Sequence, residues 1–140
     1  SAGSYGSVFE VQPLSGRPYA AKLMRRTFDE RSFQKAVGVM QLFRGRPYVS
    51  HFVQLRTHSA FEGNESKFYT MELALGDMKE LVDAADFAEH VLDYAAQLLC
   101  GLQLMHERGV VYMDVKRRNT LVFDGAGGGA PRTLKFADVA

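Results

Sequence analysis

The stretch Val110-Val111-Tyr112-Met113-Asp114-Val115-Lys116-Arg117-Arg118-Asn119-Thr120-Leu121-Val122-Phe123 constrains the chain more than any other. Apolar runs stand at both ends and polar residues fill the middle, a pattern that predicts two short strands bracketing a polar turn. Asp114, with Lys116 two residues on and Asn119 five residues on, then presents a carboxylate, an ammonium and an amide from one loop. Read alone, the stretch is equally an ordinary hairpin with a charged turn, because Asp, Lys, Arg and Asn are common turn residues. The rest of the chain decides between the two.

Ser1-Ala2-Gly3-Ser4-Tyr5-Gly6-Ser7-Val8 is a small-residue turn running into the alternating Val8-Phe9-Glu10-Val11, which predicts a strand. Pro13-Leu14-Ser15-Gly16-Arg17-Pro18 is turn chemistry, and Tyr19-Ala20-Ala21-Lys22-Leu23-Met24 follows as an apolar strand interrupted by one lysine. A lysine in a mostly buried strand is costly unless paired, which invites a functional role; the alternative is an edge lysine that reaches back to water. Asp29 is placed to cap a helix running to about Phe43, with Phe33, Ala36, Val37, Met40 and Phe43 on one face and Gly45-Arg46-Pro47 as its stop.

His51 to Leu55 and Lys67 to Leu73 read as two further strands around the polar loop Glu62 to Ser66, with His51 and His58 as loop residues. Gly76 and Asp77 open a short helix, Met78 to about Ala84. A longer helix from about Phe87 to Glu107 carries Val91, Tyr94, Ala95, Leu98, Leu99, Leu102 and Met105 at three- and four-residue steps. Gly109 caps its C-terminus. The single Cys100 falls in this apolar helix and reads as a small core residue. Asp124 to Pro131 is a glycine-rich loop, and Thr133 to Ala140 alternates like a last strand.

Six of these features stand in the order and spacing of the protein kinase family. Asp114, Lys116 and Asn119 resemble the catalytic loop H-R-D-x-K-x-x-N, in the Ser/Thr form because of Lys116. Gly3, Gly6 and Val8 resemble the glycine-rich turn G-x-G-x-x-G-x-V, and Ala20 with Lys22 the V-A-I-K strand. Met71 resembles a gatekeeper, Glu72-Leu73-Ala74 the hinge, and Asp138 the D-F-G aspartate. The long helix is similar to the one preceding the catalytic loop, and there His106 reads as structural.

The resemblance implies an α+β, bilobal kinase-like fold: a strand-rich lobe over 1–73, a hinge over 74–77, and the beginning of a helical lobe over 78–140. It implies ATP and Mg2+ as cofactors and a protein as substrate. Asp114 would accept or steer the proton of the attacking hydroxyl, and Lys116 would offset phosphoryl charge. Asn119 and Asp138 would hold the metal, and Lys22 would contact phosphates. Gly3 and Gly6 would bring backbone amides to the phosphates; Val8, Ala20, Met71, Glu72 and Ala74 would meet the adenine, and Asp77 a ribose hydroxyl. A kinase domain continues past its metal-binding aspartate, so these 140 residues alone are expected to be a truncated, inactive piece.

Departures from the family pattern support a second class of function. Ser1 stands at the first glycine, Tyr112-Met113 at the His-Arg, and Val139-Ala140 at the Phe-Gly. No acid lies between Arg31 and Phe61, which leaves Glu30, in the first helical turn, as the one candidate partner for Lys22. These changes fit a pseudokinase acting as a nucleotide-binding or scaffold module. An unrelated α+β domain is the third alternative. The larger Tyr112 and smaller Val139 are expected to trade volume in one column, with Met40 nearby.

The remaining bounds are broad. A chain 46% apolar and 24% charged has the balance of a globular protein. A net charge of +1 supplies no electrostatic pull toward nucleic acid. No apolar run approaches the length of a membrane span.

Overall fold

The computed structural model describes residues 5–44, 51–59, 66–127 and 129–138. Expectations at Ser1, Gly3, Gly45-Arg46-Pro47, most of the loop from Glu62, Val139 and Ala140 lie outside these residues. The chain divides into two compact units, one holding residues 54–73 and the chain up to Arg44, the other Val53 and the residues just before it together with Ala74 onward.

In the first unit, strands β1 (Gly6–Val11), β2 (Tyr19–Met24), β3 (Leu55–His58) and β4 (Phe68–Glu72) form an antiparallel sheet in the order β1-β2-β4-β3. Helix α1 (Glu30–Leu42) lies against β3. Asp29 caps it as the sequence predicts: its Oδ1 accepts from the Ser32 amide at 2.8 Å and its Oδ2 from the Ser32 hydroxyl at 2.6 Å. Phe33, Ala36, Val37, Met40 and Phe43 are all buried, so the period-3.6 pattern names the core face correctly.

The strand expected over His51–Leu55 forms later, over Leu55–His58. The apolar run is shared between two sheets: the Val53 amide donates to the Phe136 carbonyl at 3.0 Å, whereas Gln54 exchanges hydrogen bonds with Glu72. Alternation cannot tell which sheet each residue joins. His58 closes β3 instead of lying in a loop, and the His51 Nδ1 bonds the Leu134 carbonyl at 2.9 Å.

In the second unit, β5 (Gly76–Asp77), β6 (Thr120–Phe123) and β7 (Thr133–Phe136) form a small antiparallel sheet with β6 at its centre. Helix α2 (Met78–Leu81) is capped by Asp77, whose Oδ1 accepts from the Lys79 amide at 2.8 Å. Helix α3 (Val91–Glu107) follows a 3-10 turn at Ala88–His90 and packs on β7. Leu81, Tyr94, Val122 and Leu134 form the core, with Met78, Phe87 and Leu98 against it.

The buried face of α3 differs from its expected stripe. Tyr94 and Met105 are buried, but Val91, Ala95 and Leu99 are exposed, and so is Cys100, which is therefore no core residue. Their place is taken by Gln97 and Gly101. The Gln97 Oε1 accepts from the Leu134 amide at 2.7 Å and its Nε2 donates to the Arg132 carbonyl at 2.9 Å. The edge of β7 needs those partners, so a polar residue sits on the packed face. A Cβ at Gly101 would lie 2.8 Å from the Phe136 ring, and only glycine permits that approach. Gly109 ends the helix at φ +72, with the Val110 amide donating back to the Met105 carbonyl at 2.9 Å, the 6→1 bond of a helix-terminating turn.

Two expected strands are shorter or absent. Val110-Val111-Tyr112 forms none, because β6 already pairs β5 on one edge and β7 on the other. The final strand stops at Phe136; the Ala137 amide then donates to the Asn119 carbonyl at 2.9 Å, and Asp138 turns to φ +56.

Candidate functional site

The Asp114–Asn119 loop is built by its own side chains. Lys116 Nζ lies 2.9 Å from Asp114 Oδ2, each side chain about half exposed. The buried Asn119 donates from its Nδ2 to the Asp114 carbonyl at 3.0 Å and to Asp114 Oδ2 at 2.8 Å. Its own amide donates to the Lys116 carbonyl at 3.0 Å, closing a 3-10 turn over Arg117–Asn119. The Thr120 hydroxyl joins the same carbonyl at 3.3 Å. A tight turn is what brings a carboxylate, a lysine and an amide five residues apart onto one point.

These bonds set the charge state. The Lys116 hydrogen bond, partly opposed by desolvation and helped by Asn119, holds the Asp114 carboxyl below the usual aspartate range. The group is thus an anion near neutrality with oxygen lone pairs still open to solvent.

Tyr112 ties this loop to the segment ahead of Asp138. Its hydroxyl donates to the Ala137 carbonyl, and its ring meets Phe136 edge-on with centroids 5.2 Å apart. Burial first, then the charges of Asp138 and Asp114, push its ionisation far above the ordinary phenol value, against a smaller opposing influence of Asn119. The hydroxyl therefore stays a donor. Its packing partner is Phe136; Val139, the partner expected from the sequence, lies outside the described residues. The link from Tyr112 to Ala137 was not foreseen, although a tyrosine in an apolar run signals a hydroxyl in need of a partner.

Asp138, at the end of this segment, is exposed and adopts a left-handed backbone, costly for a residue with a side chain and held here by the bonds on either side of Ala137. Among the described residues no cluster of three or more His, Cys, Asp or Glu could hold a metal. Of the two residues expected to hold the metal, Asp138 carries a carboxylate and Asn119 an amide oxygen beside the nitrogen bonded to Asp114, both hard oxygen donors. That set suits Mg2+, which binds through one or two protein oxygens and fills its other positions with water or phosphate.

The first unit carries the other candidates on its sheet. Lys22, 7% exposed, stands opposite Val8 in β1 and Tyr69 in β4. Ala20 stands opposite Met71, and both are buried. Gly6 has a structural reason of its own: any Cβ there would run into the Leu23 carbonyl oxygen across the β1–β2 pair. Glu72 supports Gln54, its Oε1 accepting from that amide at 2.9 Å. Glu30 is exposed and accepts from Gln34 Nε2 at 3.2 Å, one turn along its own helix.

In the second unit, Ala74 is partly buried and precedes Leu75, whose amide donates to the Val122 carbonyl at 2.8 Å. Asp77 spends one carboxylate oxygen on the cap of α2.

Residues 2–139 match the protein kinase domain family. Among curated relatives, the "Serine/threonine-protein kinase RIM15" of Saccharomyces cerevisiae is 26% identical over 136 residues, covering 91% of this chain and 7% of the relative. The "Membrane-associated tyrosine- and threonine-specific cdc2-inhibitory kinase" of Drosophila melanogaster is 27% identical, covering 97% of the chain and 25% of the relative. Human "Protein kinase C delta type" is 28% identical, covering 86% and 18%. The chain spans a quarter or less of each of these relatives.

Proposed function

The chain belongs to the protein kinase domain family, and from that premise we propose that the protein containing it transfers the γ-phosphoryl group of ATP to a serine or threonine hydroxyl of a protein substrate. The observation that carries the proposal is the Asp114 carboxylate, kept ionised by Lys116 and steered by Asn119. Because the chain covers only part of its relatives, the activity is assigned to the whole protein.

In this reading Asp114 takes or orients the proton of the acceptor hydroxyl. Lys116 stays beside it and offsets charge that builds on the phosphoryl group. Asn119 and Asp138 would hold Mg2+, which supplies neutralisation of the phosphate oxygens when bound. Tyr112 fixes the backbone ahead of Asp138 through Ala137. Residues 1–73 act as the nucleotide lobe, 74–77 as hinge and 78–140 as the start of the second lobe. Lys22 meets phosphate, the backbone at Gly3 and Gly6 covers it, Val8, Ala20, Met71, Glu72 and Ala74 face the adenine, and Asp77 the ribose. The Ser/Thr assignment is supported by Lys116 and by the yeast relative's name.

A second reading, a nucleotide-binding or scaffold module without transfer, is favoured by Glu30, the one acid in α1, bonding within its own helix. The two separate in one assay. The whole protein is incubated with γ-labelled ATP, Mg2+ and a mixed Ser/Thr/Tyr peptide pool, and the labelled amino acids are identified. Label on Ser or Thr is expected; nucleotide binding without label supports the module, and label on Tyr alone overturns the specificity.

A further inference from the structure

Residues 114–119 hold one acid and three bases, in a chain whose net charge is only +1. The three bases are not equivalent. Lys116 is bound to Asp114, whereas Arg117 and Arg118 form the exposed outer side of the 3-10 turn. Among the described residues neither arginine takes part in an ion pair or a side-chain hydrogen bond. The adjacent carboxylate, Asp114, is already engaged by Lys116 and Asn119.

The backbone beneath these arginines is fixed. The Asn119 amide on the Lys116 carbonyl at 3.0 Å, the Asn119 side chain on Asp114 and the Thr120 hydroxyl on Lys116 pin both ends of the turn. Asn119 and Thr120 are buried, so the turn sits on a packed base. The guanidinium groups are thereby kept within a turn of the Asp114 carboxylate, and their planar forks match carboxylate or phosphate oxygens two at a time.

We infer that Arg117 and Arg118 are specificity-determining residues, selecting acceptor peptides that carry an anionic side chain next to the phosphorylated hydroxyl: Asp, Glu or an already phosphorylated residue. The inference rests on the phosphoryl-transfer reading above. Positive charge beside the acceptor site attracts such peptides and repels basic ones, by about fivefold per close charge pair in water. At exposed positions the effect falls as salt rises.

The test uses the whole protein and peptides that differ only at the residue flanking the acceptor: Ala, Glu, phosphoserine or Arg. Variants are R117Q/R118Q and R117E/R118E, at residues with no role in the chemistry proposed above. The expected result is a kcat/KM for the Glu and phosphoserine peptides roughly five- to tenfold above Ala, carried by KM. The preference disappears in the Gln variant and turns toward the Arg peptide in the Glu variant, while stabilisation by Mg-ATP is unchanged. Preference for phosphoserine over Glu identifies a pre-phosphorylated substrate, and equal preference identifies an acidic one. Equal kcat/KM for Ala and Glu peptides, or an acidic preference that survives charge reversal, overturns the inference. Should no peptide be labelled, the transfer reading is what fails. Fluorescence anisotropy with the same peptides then decides this point: tighter binding of anionic peptides lost on charge reversal supports it, and equal binding overturns it.

Discussion

Lys22 and Asp114 are positioned in opposite ways. Lys22 is buried and owes its place to strand register, opposite Val8 on one side and Tyr69 on the other, residues far apart in the chain. Asp114 is half exposed and owes its place to Lys116 and Asn119, within the same six residues. A one-residue slip of β2 would turn Lys22 to the other face of the sheet, whereas no sheet register holds Asp114. The first group is a product of folding at long range and the second of a few side-chain bonds in one turn. Changes at the two sites should accordingly differ in what they damage.

The largest effect is expected at the loop. Asp114→Asn should slow phosphoryl transfer by roughly 10²- to 10⁴-fold with little change in melting temperature, because the side chain supports no core. A large loss of stability would make Asp114 a structural residue and erase the contrast. Lys22→Met should slow transfer by about 10²-fold and also shrink the stabilisation by Mg-ATP, read as a thermal shift. An undiminished shift would separate Lys22 from the nucleotide.

Between these extremes stands Tyr112. Tyr112→Phe keeps the contact with Phe136 but leaves the Ala137 carbonyl without its donor. A loss of about 1–3 kcal/mol in denaturant unfolding is expected. No loss would show that the loop and the Asp138 segment are held by packing alone.

The smallest effect is a displacement along the pH axis. Folding lowers the Asp114 pKa, chiefly through Lys116, so its ionised form is fully present above the unfolded value of about 3.9 and is lost only as pH falls through the lower folded value. Lys116→Met should therefore move the acid limb of kcat/KM upward. An acid limb that stays where it was would assign that ionisation to another group.

The same contrast explains what the sequence could and could not reveal. Helix α1 was legible in its start and its packed face, because Asp29 supplies a local cap and one unbroken apolar face packs. Helix α3 was legible only in extent. Its packed face was chosen by the edge of β7, which draws in Gln97 and Gly101 and leaves Leu99 and Cys100 in solvent. Val110-Val111-Tyr112 failed as a strand for a similar reason: local pattern says nothing about whether a neighbouring edge is already occupied. Within the candidate site, the Asp114, Lys116 and Asn119 cluster could be read from spacing because a single turn assembles it. The hydrogen bond from Tyr112 to Ala137 joins two distant stretches, and no spacing records it.

In the proposed reaction Asp114 and Asn119 act as one phosphoryl-transfer unit. Single-turnover transfer by the whole protein, at saturating Mg-ATP and peptide, tests it in four forms: unaltered, Asp114→Asn, Asn119→Ala and the double variant. Either single change should cost nearly as much as both together, since each disables the same constellation. Strictly multiplicative losses would contradict it, and so would an unaltered protein that binds nucleotide and transfers nothing.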